Sequence, residues 1–138
     1  MQISPWEYSV VLESPDGTKT AAIEDSYEFG MGSPISGRLV LSTGIQLEEC
    51  RASMVWSEDS RFLAVPRWAR ARTQELLIID TLRGEVRVAP GTFRVLQLST
   101  FRDGIVEGVD SPIYKPTQVR LDTSRLFQGQ PPGPAEPS

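Results

Sequence analysis

The stretch SPDGTKTAAI, residues 14–23, decides the fold, because a turn signal is followed at once by an apolar strand. The same order returns as SEDSRFLAV at 57–65 and as FRDGIVEGV at 101–109. Aligned on their turn aspartates, neighbouring copies lie 43 and 44 residues apart. Each copy also has an apolar strand before its turn and another after a variable polar loop. The spacing predicts one supersecondary unit that is repeated three times.

Strand patterns dominate the rest of the chain. Ten short segments are rich in β-branched, leucine or aromatic residues and are bounded by turn residues. They cover residues 7–13, 20–25, 37–43, 52–57, 61–68, 75–81, 85–90, 93–99, 104–110 and 117–122. No segment keeps a 3.6-residue period, and the segment nearest to a helix, 67–77, has room for about two turns. We therefore predict an all-β fold of antiparallel meander repeats, either propeller-like or collapsed into a sandwich or barrel.

Two of the copies resemble a known repeat. SPDGTKTAAI and WSEDSRFLAV…LLIIDTLRGE are similar to the WD-type and TolB-type β-propeller repeat, in which a Ser-Pro-Asp-Gly turn precedes a small apolar strand and a later strand ends in Asp. Residues 9–122 follow this pattern, and the second copy, 52–85, matches it best. The resemblance implies a scaffold that binds proteins or ligands on its faces. Propellers close with about four to eight blades, so three copies leave sheet edges to be covered by a second chain, by collapse or by a partner.

The chain length and its last residues predict the domain organisation. A length of 138 residues is enough for one domain with a sizeable core, which we place at 1–127. Residues 128–138 are rich in Pro and Gly and carry no large apolar side chain. Such a segment cannot bury enough surface to offset its chain entropy, so a disordered tail is expected.

The composition excludes several classes of function. The chain has no histidine, which rules out Ser–His–Asp and Cys–His catalysis and the usual zinc ligand sets. Its only cysteine, Cys50, cannot form an internal disulfide. A net charge of −4 argues against a general nucleic-acid binder. No cofactor or metal motif is present, and no membrane span or signal peptide is recognised, so a cytoplasmic protein without a cofactor is expected.

Three loops between strands carry the residues most typical of an interface. The loops cover 24–37, 66–72 and 109–118, and equivalent repeats would bring all three to one side of the molecule. Aromatic and arginine residues on loops of a rigid scaffold are typical of binding surfaces. The structural alternative is a set of solvated loops whose aromatic rings pack on the core. We predict partner binding by Tyr27, Glu28, Phe29, Arg67, Trp68, Arg70, Arg72 and Tyr114.

The missing catalytic motifs and the three loops favour a non-enzymatic module that binds another protein. Residues 1–49 hold eight acidic and two basic residues, and the remainder holds ten acidic and twelve basic residues. An acidic half beside a mildly basic one attracts partners through its field. An antidote or immunity-type inhibitor, whose acidic first loop covers the basic active site of a toxin, is one such module.

Other functions remain open at this point. The carboxylates of Glu24, Asp25 and Glu28 are candidates for acid–base chemistry or ligand binding in a small enzyme. The chain is alternatively a structural subunit that completes a larger propeller, for example as a homo-oligomer. RNA binding through the arginine cluster is a weaker alternative.

Overall fold

The computed structural model describes residues 10–28, 35–69, 73–111 and 115–127. Within these ranges the chain forms β-strands and no helix, so the predicted all-β fold is confirmed. The predicted tail lies outside the described residues. The strands are β1 (Val10–Glu13), β2 (Thr20–Glu28), β3 (Ile35–Leu41), β4 (Gln46–Arg51), β5 (Val55–Trp56), β6 (Phe62–Trp68), β7 (Gln74–Asp80), β8 (Glu85–Val88), β9 (Leu96–Arg102), β10 (Ile105–Asp110) and β11 (Thr117–Asp122).

The strands form antiparallel meanders in two sheets. The larger sheet has the order β1-β2-β3-β4-β6-β7-β8, with β5 paired to β6, and the smaller has the order β11-β10-β9. Among the described residues β4 and β6 share a single pair, Cys50 opposite Arg67, whereas β6 and β7 pair along seven residues. We therefore divide the chain into a first unit (β1–β4), a second unit (β5–β8) and a third unit (β9–β11). Each unit contains one copy of the repeated turn.

The second unit is covered on both faces. Leu63, Val65 and Ile79 point to one face and pack with apolar side chains of the first unit. Ala64 and Ile78 point to the opposite face and pack with the third unit. This explains the nearly continuous apolar run of β7, because a strand buried on both sides has no polar face. Each fully buried Leu or Ile contributes about 2 kcal/mol, so these two interfaces form the core of the molecule.

The repeated turns close with the same hydrogen bonds in the first two copies. Ser14 Oγ donates to Asp16 Oδ1 at 2.8 Å and accepts the N–H of Lys19 at 3.1 Å. Ser57 Oγ likewise donates to Asp59 Oδ1 at 2.5 Å and accepts from the backbone five residues on. The side chains of a Ser-x-Asp sequence accept hydrogen bonds from the backbone N–H groups of their own turn, which explains why the chain repeats it.

The third turn has a different construction. Asp103 and Gly104 have φ angles of 54° and 76° and join β9 to β10 as a two-residue loop. Positive φ at both positions is the type I′ geometry that Asp-Gly favours in hairpins, so the predicted tight turn is confirmed. Phe101 stands where the other copies have serine, and its buried ring packs in the core between the second and third units.

The three turns lie side by side at one end of the molecule, which we call the turn end. Asp16 N–H donates to Ser60 Oγ at 2.9 Å, which joins the first turn to the second. Glu58 N–H donates to the carbonyl of Phe101 at 3.1 Å, and Asp103 N–H donates to Glu58 Oε1 at 3.3 Å. The opposite end, where β2–β3, β6–β7 and β10–β11 are connected, is the loop end.

Several predicted boundaries were wrong. Strand β4 was missed, because its sequence QLEECR carries two adjacent glutamates and has little β-propensity. The first predicted loop, 24–37, is shorter than expected, since β2 continues to Glu28 and β3 begins at Ile35. Pro66, Arg67 and Trp68 belong to β6, as the predicted strand 61–68 had it, and not to the predicted loop 66–72.

A buried ion pair closes the second unit at the turn end. The side chain of Asp80 is 1% exposed and accepts hydrogen bonds from Arg61 Nε at 3.0 Å and Nη2 at 2.8 Å. Burial by itself raises the pKa of Asp80, but the hydrogen bonds from Arg61 and from the backbone of Arg83 and Leu82 outweigh it. The pKa of Asp80 therefore lies below its ordinary value.

We predict that this pair makes the free energy of unfolding depend on pH in the acidic range. Since the folded pKa of Asp80 is lowered, its stabilisation is present above the ordinary pKa, about 4, and is lost as the pH falls through the folded value. The substitution Asp80→Asn should cost about 2 kcal/mol near neutral pH. Urea unfolding between about pH 7 and pH 3 should show this difference shrinking as the pH falls. A difference that is independent of pH would contradict the assignment.

Gly108 provides a second prediction about the fold. A Cβ at this position would lie 2.4 Å from Gln97 O and 2.9 Å from Leu98 Cα, next to the register shift between β9 and β10. Gly108→Ala should therefore reduce the free energy of unfolding by about 3 kcal/mol. Gly84→Ala is the control, because a Cβ there meets nothing within 4 Å and only the positive φ costs energy, about 1 kcal/mol. Equal losses in urea unfolding would refute the steric argument.

Candidate functional site

The bases of the three predicted loops meet at the loop end. Ser36 in β3 pairs with Arg51 in β4, and the neighbouring Cys50 pairs with Arg67 in β6. At the start of β7, Gln74 bridges to Phe93, and its side-chain Oε1 accepts the N–H of Leu96 at 2.9 Å. The third unit joins here as well, since Asp110 Oδ1 accepts the N–H groups of 94 and 95 at 3.0 Å. The strands that carry the loops are thus linked continuously.

Arg67 is engaged within the protein. It lies directly opposite Glu75 in the β6–β7 register, and its Nε donates to Glu75 Oε2 at 2.9 Å. Its Nη2 donates to the same oxygen, so the two side chains form an ion pair at the surface. A partly exposed pair of this kind contributes about 0–1 kcal/mol, and here it fixes the position of the Arg67 guanidinium.

Trp68 is the predicted residue whose setting is most like a binding anchor. Its side chain is partly buried at the end of β6. The guanidinium carbon of Arg51 lies 5.1 Å from the centre of its ring, and Arg51 itself is 1% exposed. A buried cation over the ring face attracts the indole electrostatically. The ring is therefore held in one orientation while part of it reaches the surface.

Sequence reasoning missed Arg51 and Glu75, the two residues that position this site. Arg51 ends β4, the strand that the sequence did not predict, and it is 17 positions from Trp68. Arg51 comes close to Trp68 because β4 pairs with β6, and no local sequence pattern predicts that pairing. Glu75 had a usable signal, because the cross-strand partner of Arg67 follows once the hairpin register is known.

Most of the other predicted site residues lie outside the described part of the chain. Glu24 is described and exposed, and it lies on β2 opposite Arg38 rather than in a loop. Tyr27 and Glu28 have a described backbone in β2, as Asp25 does, but their side chains are outside the description. The residues entirely outside it are Phe29, Arg70, Arg72 and Tyr114.

Cys50 is a core residue. Its side chain is fully buried among the apolar residues between the first and second units. Burial raises the pKa of the Cys50 thiol to about 12, with a smaller opposing effect from Arg67. The thiolate is the nucleophilic form, so Cys50 lacks the setting of a reactive cysteine. Among the described residues, no group of three or more Cys, Asp or Glu side chains is arranged to hold a metal ion.

No protein-family model, no curated protein and no solved structure matches the chain. Within the ranges that the structure covers, no helix is long and apolar enough to cross a membrane.

We predict that Cys50 is protected from thiol reagents in the folded protein. Its raised pKa and complete burial both reduce the concentration of accessible thiolate. At about pH 8, a disulfide reagent such as dithiobis(nitrobenzoate) should react roughly a hundredfold more slowly than with the urea-unfolded chain. Similar rates in the two states would show that the thiol is accessible and would contradict the assignment of Cys50 as an unreactive core residue.

Proposed function

We propose that the protein is a non-enzymatic module that binds another protein through its loop end, with Trp68 as the anchor. The observation that carries this proposal is the setting of Trp68, a partly exposed indole under the buried guanidinium of Arg51. The hot spots of protein interfaces are enriched in Trp and Arg. Truncating an aromatic anchor of this kind causes the largest losses of binding affinity. An aromatic ring that is already fixed in the free protein loses little conformational entropy on binding.

The scaffold supports this proposal. The second unit, which carries Trp68, is packed on both faces, so the end of β6 is rigid. Variable loops on a rigid sheet are the usual way in which β-proteins present a binding surface. In this proposal the units are propeller-like repeats that have been adapted to present loops, as the repeat sequence suggests.

The outward faces of the terminal units favour a complete module over a subunit of a larger ring. On the third unit, Thr100 Oγ1 donates to Glu107 Oε1 at 3.2 Å, and Arg120 lies 3.7 Å from Glu107 Oε2 on the same face. On the first unit, Glu13 and Glu24 are exposed, and so is one apolar side chain, Val11, at 72%. The two internal interfaces are apolar, so a further unit stacked on these faces would desolvate charged groups.

The acidic first part of the chain suits a partner with a basic surface. Antidote-type inhibition of a toxin is one form of such binding, with the first unit facing a basic active site. The proposal also keeps the cytoplasm as the place of action, since a chain with a single cysteine makes no use of an oxidising compartment.

We predict that Trp68→Ala abolishes capture of the natural partner. Tagged protein incubated with lysate of the organism that encodes it should retain one protein in near-stoichiometric amount. Truncating an anchor of this type costs about 2 kcal/mol or more, which corresponds to a dissociation constant raised by about 30-fold. Titration of the purified partner by calorimetry would measure this loss.

Leu82→Ala is the matched control. Leu82 is a large apolar side chain, 74% exposed, in the β7–β8 turn and thus at the opposite end of the second unit. It should leave the captured protein unchanged, and thermal unfolding should show both variants folded. Capture at the wild-type level by Trp68→Ala, or no captured protein at all, would overturn the proposal.

A further inference from the structure

A cleft at the turn end lies between the second and third turns. Its volume is about 290 Å³. The wall is aromatic, with Phe62 at the centre, Phe101 at 6.3 Å and Phe127 at 5.6 Å between ring centroids. The cleft is therefore a preformed recess with apolar ring surface inside it, on the opposite end of the molecule from Trp68.

The mouth of this cleft is acidic. Glu58, Asp59 and Asp103 line it, and all three residues are exposed. Asp59 is oriented by Oδ1, which accepts from Ser57 Oγ at 2.5 Å and from Arg61 N–H at 3.1 Å. Within the described ranges none of the three carboxylates forms an ion pair. The mouth thus presents three exposed carboxylates to a cation from outside the chain.

Two arginines beside the cleft form ion pairs of their own. The guanidinium of Arg61 lies 4.9 Å from the centre of the Phe62 ring and forms its ion pair with Asp80. The guanidinium of Arg87 lies 5.2 Å from the centre of the Phe127 ring and pairs with Glu85 at 3.4 Å. Each arginine has its own carboxylate partner, and Arg61 also interacts electrostatically with Asp59. The two ring contacts show that these phenylalanines accept a guanidinium group.

We propose that the cleft binds one arginine side chain from a basic segment of another protein. The methylene stem would lie on the phenylalanine rings while the charged head reaches the carboxylates, as long cationic side chains do at apolar surfaces. A volume just below the range of small-molecule pockets, about 300–1,000 Å³, suits a single side chain. Arginine is favoured over lysine because its planar guanidinium stacks on aromatic rings and donates to two carboxylates at once. The inference is independent of the Trp68 surface.

The experiment titrates the full-length protein with the peptide acetyl-Gly-Arg-Gly-amide and follows backbone amide resonances by NMR. Saturable shifts should appear at the amides that border the cleft, including those of Asp103 and Gly104, and should weaken as salt is added. The peptide in which citrulline replaces arginine keeps the shape without the charge. It should bind at least about tenfold more weakly, as expected for the loss of charge-assisted hydrogen bonds.

A charge-neutral variant tests the carboxylates without rebuilding the turn. Glu58→Gln with Asp59→Asn keeps the oxygens that accept from Asp103 N–H and Ser57 Oγ and should reduce affinity for the arginine peptide about tenfold or more. Asp16→Asn is the control, since Asp16 has the same role in the first turn but lies outside the cleft. Equal binding of the citrulline peptide, unchanged affinity in the double variant, or shifts confined to the loop end would each overturn the proposal.

Discussion

The structure depends on the burial of β6 and β7 on both faces. One face holds the first unit and the other holds the third unit. In the described residues, neither core cluster contains side chains from all three units, so the terminal units are held through the middle one. This arrangement explains why the second copy of the repeat is the most regular in sequence. A strand pair without a solvent face accepts few polar substitutions, and its hydrophobic run must remain complete.

The repeated turns serve the same packing. Each Ser-x-Asp turn satisfies its own backbone, so its outer surface is free to contact the neighbouring turn. Trp56 Nε1 donates to the carbonyl of Leu12 at 3.0 Å, and Ser53 Oγ accepts the N–H of Leu98 at 2.9 Å. These bonds join residues 44 and 45 positions apart, close to the spacing of the repeated turns. At both interfaces a side chain of the second copy thus bonds to the backbone of a neighbouring unit.

Most strands and the tight turns could be predicted from the sequence, whereas the candidate site at the loop end could be predicted only in part. Alternation and turn residues predicted most strands, and the Asp103-Gly104 sequence predicted a tight turn. Strand β4 was invisible, because Glu48 and Glu49 break the pattern and pairing with β3 and β6 overrides weak propensity. Trp68 was predicted as a binding residue from the composition of its segment, 66–72, alone. Arg51, which holds its ring, was not, because a cation over a ring depends on tertiary contact rather than on sequence spacing.

The aromatic cleft shows the same limit more strongly. Phe62 and Phe101 come from strands of different sheets, and Phe127 follows the last strand. Nothing in the local sequence of these three phenylalanines indicates a shared recess. Their meeting is a consequence of the way in which the third unit docks on the second.

The charged outward faces of the first and third units have an evolutionary consequence. Among the described residues, only the second unit packs apolar side chains on both faces, so a copy of it could be inserted without burying charge. The first and third units act as caps, in the sense known from solenoid arrays, and they limit the length of the stack. Growth by duplication would therefore have to begin with the second unit, in the middle of the chain.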